Sequence, residues 1–168
     1  MDFPIYDLEV PSTKKKIKFR PFLVKEEKVL LMALESNDDT NIRNAVHDLL
    51  KNCITSRIKL ENLAIFDLEY IFLNIRAVSV GEIVEINVTC RDDEKTQVRY
   101  NLNLTDVNVT FPEGHSNKIM LTDNLGVIMR YPSFNRFVED QFANKEVTED
   151  TVLEIIAESI DQIFQGDD

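Results

Sequence analysis

The chain has 168 residues, of which 43% are hydrophobic and 29% charged, so it is long enough to bury one sizeable core. Its formal charge of -11, from 30 acidic and 19 basic residues, argues against binding to nucleic acid or to anionic membrane surfaces. The sequence contains no secretory signal and no apolar run long enough to span a bilayer, and its only cysteines are Cys53 and Cys90. We therefore expect a cytosolic protein with reduced thiols and no membrane or nucleic-acid partner.

The first predicted element is a β-hairpin. The segments "IYDLEV" (Ile5 to Val10) and "KIKFRPF" (Lys16 to Phe22) alternate in polarity on either side of the polar turn "PSTKK". Alternation of this kind is typical of strands with one buried face, and the turn lies between them.

Two helices are predicted next. The segment "LVKEEKVLLMALES" is rich in helix formers, which predicts a short amphipathic helix with Leu30, Leu31 and Leu34 on one side. The exposed side is expected to carry the four charged residues Lys25, Glu26, Glu27 and Lys28. From Ile42 to Cys53 the apolar residues recur at steps of three and four, so a second helix should place Cys53 in the core.

The third helix is predicted to be the buried centre of the fold, at about residues 65–80. Asp67 is expected to cap its start, and the segment from Leu68 to Val78 is apolar on almost every side. Gly81 then provides a residue for which a left-handed conformation is easy, which predicts the end of the helix.

The second half of the chain alternates like β structure. One hairpin is predicted from Val84 to Cys90 and from Val98 to Leu104, and another from "KIMLT" and "VIMRY". The chain should end in a helix, because its last apolar residues follow helical spacing: Val152, Ile156, Ile160 and Ile163.

These elements together predict an α+β fold, in which β-hairpins pack with a helical bundle around the central helix. We expect a single domain over residues 1–168. Its finer division would be two sub-lobes, 1–81 with a hairpin and helices, and 82–168 with hairpins and C-terminal helices.

The sequence offers little that resembles a catalytic or cofactor site. Its four glycines are too far apart to form a phosphate-binding loop, and the paired carboxylates are typical of turns or solvated tails. His47 and His115 are expected to be solvated, which makes a nucleophilic pair with either cysteine the weaker interpretation. We predict no catalytic residue, no cofactor and no metal ligand.

Cys90 carries the one alternative that involves a metal. A zinc knuckle would need a second cysteine three residues later, and that position holds Asp93 in the segment "CRDDEK". A small thiol at the end of a hairpin is the favoured interpretation.

Three residues are predicted to bind a partner: Arg76, Phe134 and Phe137. Arg76 is a cation within the apolar helix and could anchor an interface, although a stem packed on the core, with its head in water or near an acid such as Glu69, is the favoured interpretation. Phe134 and Phe137 are three residues apart after Pro132, which marks the start of a helix, and part of this group could hold a partner.

Several segments also resemble a known family. The order "KIKFRPFLVKEEKVLLMA", "FDLEYIFLNIRAVSVGE", a strand that ends in cysteine, "MRYPSF" and "ESIDQIFQGDD" is similar to the baseplate hub subunits and hub assembly proteins of T4-like contractile-tailed bacteriophages. The resemblance extends from Phe19 to Asp168, with the strongest segments at Phe19 to Ala33 and Asp67 to Glu82.

This resemblance implies a non-enzymatic protein that binds other hub or tail proteins. Its first implication is a chaperone-like hub assembly factor in the cytoplasm of the infected cell, and its second is a permanent structural subunit in the virion baseplate. An acidic adaptor or inhibitor of a host protein is the alternative that the composition leaves open.

Two departures from the resembling family affect these expectations. Relatives can carry a CxxC knuckle after the "SVGE" motif, whereas this chain has only Cys90, so no metal role is transferred. Relatives also extend beyond the "IDQIF" helix, whereas this chain ends at "QGDD". We therefore expect a chain shorter than its relatives, without part of their partner surface.

Overall fold

The computed structural model describes residues 3–132 and 149–166. These residues form seven strands, paired in three small antiparallel sheets, and four α-helices, which confirms the α+β class. In chain order the elements are β1 (Tyr6–Glu9), β2 (Lys16–Phe19), α1 (Val24–Glu35), α2 (Asp39–Cys53), α3 (Ile65–Val80), β3 (Ile83–Thr89), β4 (Gln97–Asn103), β5 (Lys118–Met120), β6 (Leu125–Met129), α4 (Glu149–Glu158) and β7 (Ile160–Gln165).

The described residues fall into two compact units. The first contains residues 3–58 and 67–109, and the second contains 59–66, 110–132 and 149–166. The organisation as one domain with two sub-lobes stays a prediction.

In the first unit, the β1–β2 hairpin buries one face against the helices. Ile17 and Phe19 are each only 2% exposed, and Phe19 also forms a bridge with Ile54 just after α2. The helices contribute Leu50 and Ile71, which are buried almost completely. The predicted hairpin is thus confirmed, and its alternation follows the boundary between core and solvent.

The central helix α3 occupies the predicted range, but it begins before Asp67. Asp67 lies in the first turn of the helix and is fully buried, with its carboxylate accepting hydrogen bonds from the backbone N–H of Ser12, at 2.9 Å, and from the Ser12 hydroxyl. Asp67 is therefore not the residue that precedes the helix but lies in its first turn, and its carboxylate also binds the β1–β2 turn. Gly81 follows the helix with a φ of +141°, as predicted.

The orientation predicted for α1 is wrong in part, although Lys25 and Lys28 are exposed as expected. Glu26 is 7% exposed, whereas Leu31 and Leu34 are 52% and 47% exposed. The helix turns its Glu26 side inward because Arg20, just after β2, provides a buried charged partner.

In the second unit, β6 lies between β5 and β7, which confirms the third predicted hairpin. The helix α4 ends at Glu158, so the prediction that the helix continues to Ile163 is wrong. Ile163 instead lies opposite Val127 of β6. Pairing with β6 overrides the helical spacing of Ile160 and Ile163, since side chains three residues apart lie on opposite faces of a strand.

The ring of Phe164 in β7 packs closely on β6, which supports the pairing of these two strands. A Cβ added to Gly126 would lie only 2.2 Å from Cζ of the Phe164 ring, so the ring covers the backbone of the glycine. The Nζ of Lys118 lies 4.4 Å from the centroid of the same ring.

Candidate partner-binding surfaces

Arg76 has a local structural role in the first unit. It is half-buried on α3, and its Nη1 donates to the carbonyl oxygen of Gly81 at 3.2 Å. The bond satisfies a carbonyl group at the end of its own helix, whereas the sequence predicts water or an acid such as Glu69 beside the head of Arg76. A role for Arg76 at an interface stays a prediction.

Phe134 and Phe137 lie outside the described residues. Their role in binding a partner stays a prediction as well.

The β3–β4 hairpin separates apolar from polar side chains onto its two faces. Its register places Val84 opposite Leu102, Ile86 opposite Tyr100 and Val88 opposite Val98. Residues directly opposite in an antiparallel pair lie on the same face, so these six side chains form one apolar surface. The other face is largely polar and includes an exposed ion pair, in which Arg99 Nη1 lies 3.5 Å from Glu85 Oε1.

The apolar surface is covered near the base of the hairpin and exposed further along it. Leu104, just beyond the base of the hairpin, is 5% exposed, and Val84 and Leu102 are half-buried. Val88, Val98 and Tyr100 are 46%, 52% and 56% exposed, and we call these three residues the hairpin face. Contiguous apolar side chains in water are characteristic of surfaces that bind proteins.

The turn of this hairpin is held by Asp93. Its carboxylate accepts hydrogen bonds from the backbone N–H groups of Lys95 and Thr96, each at 3.0 Å, and from the Thr96 hydroxyl. The Thr96 hydroxyl and these backbone donors lower the pKa of Asp93 to about 2. Asp93 therefore closes the turn beside the half-buried Cys90.

No three His, Cys, Asp or Glu side chains are placed to hold a metal ion within residues 3–132 and 149–166. Across the same residues, no helix is both long enough and apolar enough to cross a membrane.

A second exposed apolar surface lies on α1. We call it the α1 face, and it consists of five side chains that are between 47% and 81% exposed: Val24, Val29, Leu31, Met32 and Leu34.

The inner side of α1 is held by a buried ion pair. Arg20 Nη2 donates to Glu26 Oε1 at 2.7 Å and Nη1 to Oε2 at 3.0 Å, while the Leu23 N–H donates to the same Oε2 at 2.7 Å. The hydrogen bonds from Arg20 lower the pKa of Glu26 and, reciprocally, raise the pKa of Arg20. This pair fixes which side of the helix faces water.

Cys53 lies beside the ion pair, with its Sγ 3.9 Å from both Arg20 Nη1 and Glu26 Oε2. It is fully buried, which confirms its predicted place in the core. Burial, together with the charge of Glu26, raises the pKa of Cys53 to about 11, so the thiol stays neutral near pH 7. A neutral, covered thiol is a poor nucleophile.

The second unit contains an aromatic group that the sequence did not indicate. The Phe66 ring centroid lies 4.9 Å from that of Tyr131 and 6.1 Å from that of Phe111, in both cases edge to face. His115 lies in a loop, as predicted, and its Nε2 lies 2.6 Å from the Tyr131 hydroxyl. These four residues come from three distant segments, so no local pattern could reveal their contact.

The geometry as a whole defines a small α+β protein whose first unit presents apolar surface on a strand pair and on a helix. A protein-family model described as T4 bacteriophage base plate protein matches residues 3–168, and the chain belongs to this family. No curated protein and no solved structure gives a significant match.

This membership confirms the resemblance found in the sequence. It gives the chain a structural or assembly role in the base plate of a phage tail, with other base plate or tail proteins as its partners.

Proposed function

We propose that this protein is a non-enzymatic assembly factor of the base plate hub. It acts in the host cytoplasm, in the manner of a chaperone, by binding hub components while the contractile tail is built. The observation that carries the proposal is the exposed hairpin face, in a chain that belongs to a base plate family.

The hairpin face has the properties of a binding surface. An isolated two-stranded hairpin is only marginally stable in water. A partner that covers its apolar side removes that surface from water and so stabilises the complex. Tyr100, which is 56% exposed, offers a large ring with a polar hydroxyl, and tyrosine is enriched at the centres of interfaces. Binding here needs no catalytic group.

The net charge of the chain indicates which residues should surround the apolar centre of the partner's contact surface. With a net charge of -11, the protein attracts partners whose contact surface carries basic residues around an apolar centre. The Glu85 and Arg99 side chains on the opposite face of the hairpin are largely exposed and do not contribute to the apolar centre.

Co-expression with candidate hub proteins, followed by size-exclusion chromatography, tests the proposal. We expect a co-eluting complex that is lost in Tyr100→Lys, since a buried charge replaces an apolar contact at the interface. Asn101→Lys is the matched control, because its neighbouring, exposed side chain lies on the polar face of the same strand. Equal binding by wild type and Tyr100→Lys would count against the hairpin face.

Two further measurements separate the remaining functions. Mass spectrometry of finished particles should find the protein absent or far below stoichiometric amounts, whereas stoichiometric presence would make it a permanent subunit. An acidic adaptor of a host protein would show binding that weakens steeply with salt and no complex with hub proteins.

A further inference from the structure

The helices α1 and α2 differ in how far their apolar side chains are buried. Among the described residues of α2, no large apolar side chain is exposed, as expected for an amphipathic helix that packs on a core. In α1, Val24 is 81% exposed, Met32 59% and Leu31 52%. The first unit therefore does not cover the outer side of α1.

The charges on this outer side have opposite signs at its two ends. Val24, Lys28, Leu31 and Glu35 follow one another at steps of four, three and four, which places them along one line of the helix, with Met32 beside Leu31. Lys28 lies before the apolar centre and Glu35 after it. An acid and no base in the last turn opposes the helix dipole, so the arrangement does not stabilise α1 by itself.

The same arrangement is complementary to itself when reversed. In an antiparallel pair of α1 helices related by a two-fold axis, Leu31 and Met32 of one copy lie opposite Met32 and Leu31 of the other. Lys28 of each copy then lies opposite Glu35 of the other, so the favourable charge pair forms twice. We infer that the α1 face binds a second copy of this chain in this antiparallel arrangement.

The charges on the α1 face favour a second copy over a uniformly charged partner, although the net charge of -11 on each copy opposes association at low ionic strength. A uniformly basic partner would meet Lys25 and Lys28 at one end of the face, and a uniformly acidic partner would meet Glu35 at the other. A reversed copy satisfies both ends. The inference does not depend on the hub role, because it concerns a different surface from the hairpin face.

The size of the surface sets the expected strength. With Leu31 opposite Met32, the two helices overlap over residues 28–35, about 12 Å at 1.5 Å per residue, which gives an interface smaller than most specific ones. We therefore expect a weak, reversible dimer.

Sedimentation of the full chain from about 5 to about 500 µM covers the concentrations at which a weak dimer forms and dissociates. Wild type should change from monomer to dimer over this range. Met32→Glu should weaken association at least about tenfold, since it places a charge at the apolar centre. Asn101→Glu is the matched control, because Asn101 is exposed on the polar face of β4 and the substitution adds the same charge, and it should leave association unchanged.

A charge exchange tests the antiparallel arrangement itself. Lys28→Glu and Glu35→Lys should each weaken self-association, because each variant places like charges together twice. An equimolar mixture of these two variants should restore the dimer, because both opposed pairs are then of opposite sign. Circular dichroism at each variant's working concentration confirms that these exposed substitutions leave the fold intact.

Three results would overturn the inference. They are a wild type that stays monomeric throughout the range, a dimer unaffected by Met32→Glu, and single charge variants whose mixture is no stronger than either alone. If Met32→Glu disrupted only the complex with a hub protein, the α1 face would bind that protein and not a second copy.

Discussion

The two hairpins of the first unit have the same alternating sequence pattern and opposite surroundings. In β1–β2, Ile17 and Phe19 are 2% exposed, whereas in β3–β4 the residues Val98 and Tyr100 are 52% and 56% exposed. Alternation therefore identifies an apolar face without showing whether the protein covers that face. One hairpin contributes to folding, and the other is available to a partner.

The two turns repeat this contrast with similar chemistry. Asp67 reaches the turn of the first hairpin from α3 and is fully buried, while Asp93 closes the turn of the second hairpin from within it and is exposed. Tertiary contacts hold the first hairpin, and local contacts hold the second.

Truncating one apolar side chain in each hairpin should give the largest difference in stability between the two hairpins. Phe19→Ala should lower the free energy of unfolding by about 3–5 kcal/mol, because it leaves a cavity in the core. Val98→Ala should change it by no more than about 0.5 kcal/mol, because the side chain is already in water. Urea denaturation followed by circular dichroism measures both, and losses of equal size would refute the contrast.

The ion pair near the first hairpin should contribute more to stability than the ion pair on the second hairpin. Arg20→Met leaves the buried Glu26 carboxylate without its cation, which should cost about 3 kcal/mol of unfolding free energy. Arg99→Met removes the exposed partner of Glu85 and should cost less than about 1 kcal/mol. Thermal and urea denaturation of both variants check this, and a costlier Arg99→Met would contradict it.

The two turn carboxylates provide the third comparison. Asp67→Ala removes the acceptor of the Ser12 N–H and hydroxyl in a buried place, for an expected loss of about 2 kcal/mol. Asp93→Ala removes an equivalent acceptor in water and should barely move the urea midpoint. Asp67→Asn, which keeps one acceptor oxygen, should recover part of the loss; no recovery would mean that packing dominates.

The ion pair beside the first hairpin should also respond to pH. Arg20 lowers the pKa of Glu26 below its ordinary value of 4.5, so the folded state binds this proton less readily than the unfolded chain. The resulting stabilisation is present above pH 4.5 and is lost as the pH falls through the lower folded pKa. The stability difference between wild type and Glu26→Gln should therefore shrink on acidification below pH 4.5, and a constant difference in urea titrations at successive pH values would contradict the shift.

The smallest expected effect concerns the two cysteines, because their labelling rates measure how exposed each thiol is. At pH 8 the thiolate fraction of Cys53, with a pKa raised from 9.0 to about 11, is about a hundredfold below that of an unperturbed thiol. Iodoacetamide should thus modify Cys90 first and Cys53 only after denaturation, as read by peptide mass spectrometry. Equal rates in the native protein would show that the core around Cys53 opens readily and would contradict its burial.

Sequence patterns were most reliable where one local signal sufficed. The three hairpins, the range of α3 and the stop at Gly81 follow from alternation, apolar run length and glycine conformation, and all are present. Patterns failed where a tertiary partner overrode the local signal. Ile160 and Ile163 have helical spacing, and pairing with β6 nevertheless places them in a strand.

The candidate surfaces were harder to predict because exposure is not a local property. The apolar spacing in α1 indicated that Leu31 and Leu34 were core residues and that Glu26 was exposed. The structure reverses this orientation, because Arg20 pairs with Glu26 and draws that side of the helix inward. No periodicity within α1 contains this information, since the cation lies outside the helix.

The sequence by itself determined the secondary structure of most elements, the α+β class and the family to which the chain belongs. These depend on local propensity, on the period of apolar residues and on segments that can be compared directly. Only the tertiary structure decided which apolar faces are covered, because burial depends on neighbours that are distant in the chain. The same alternation therefore became core in β1–β2 and an exposed face in β3–β4.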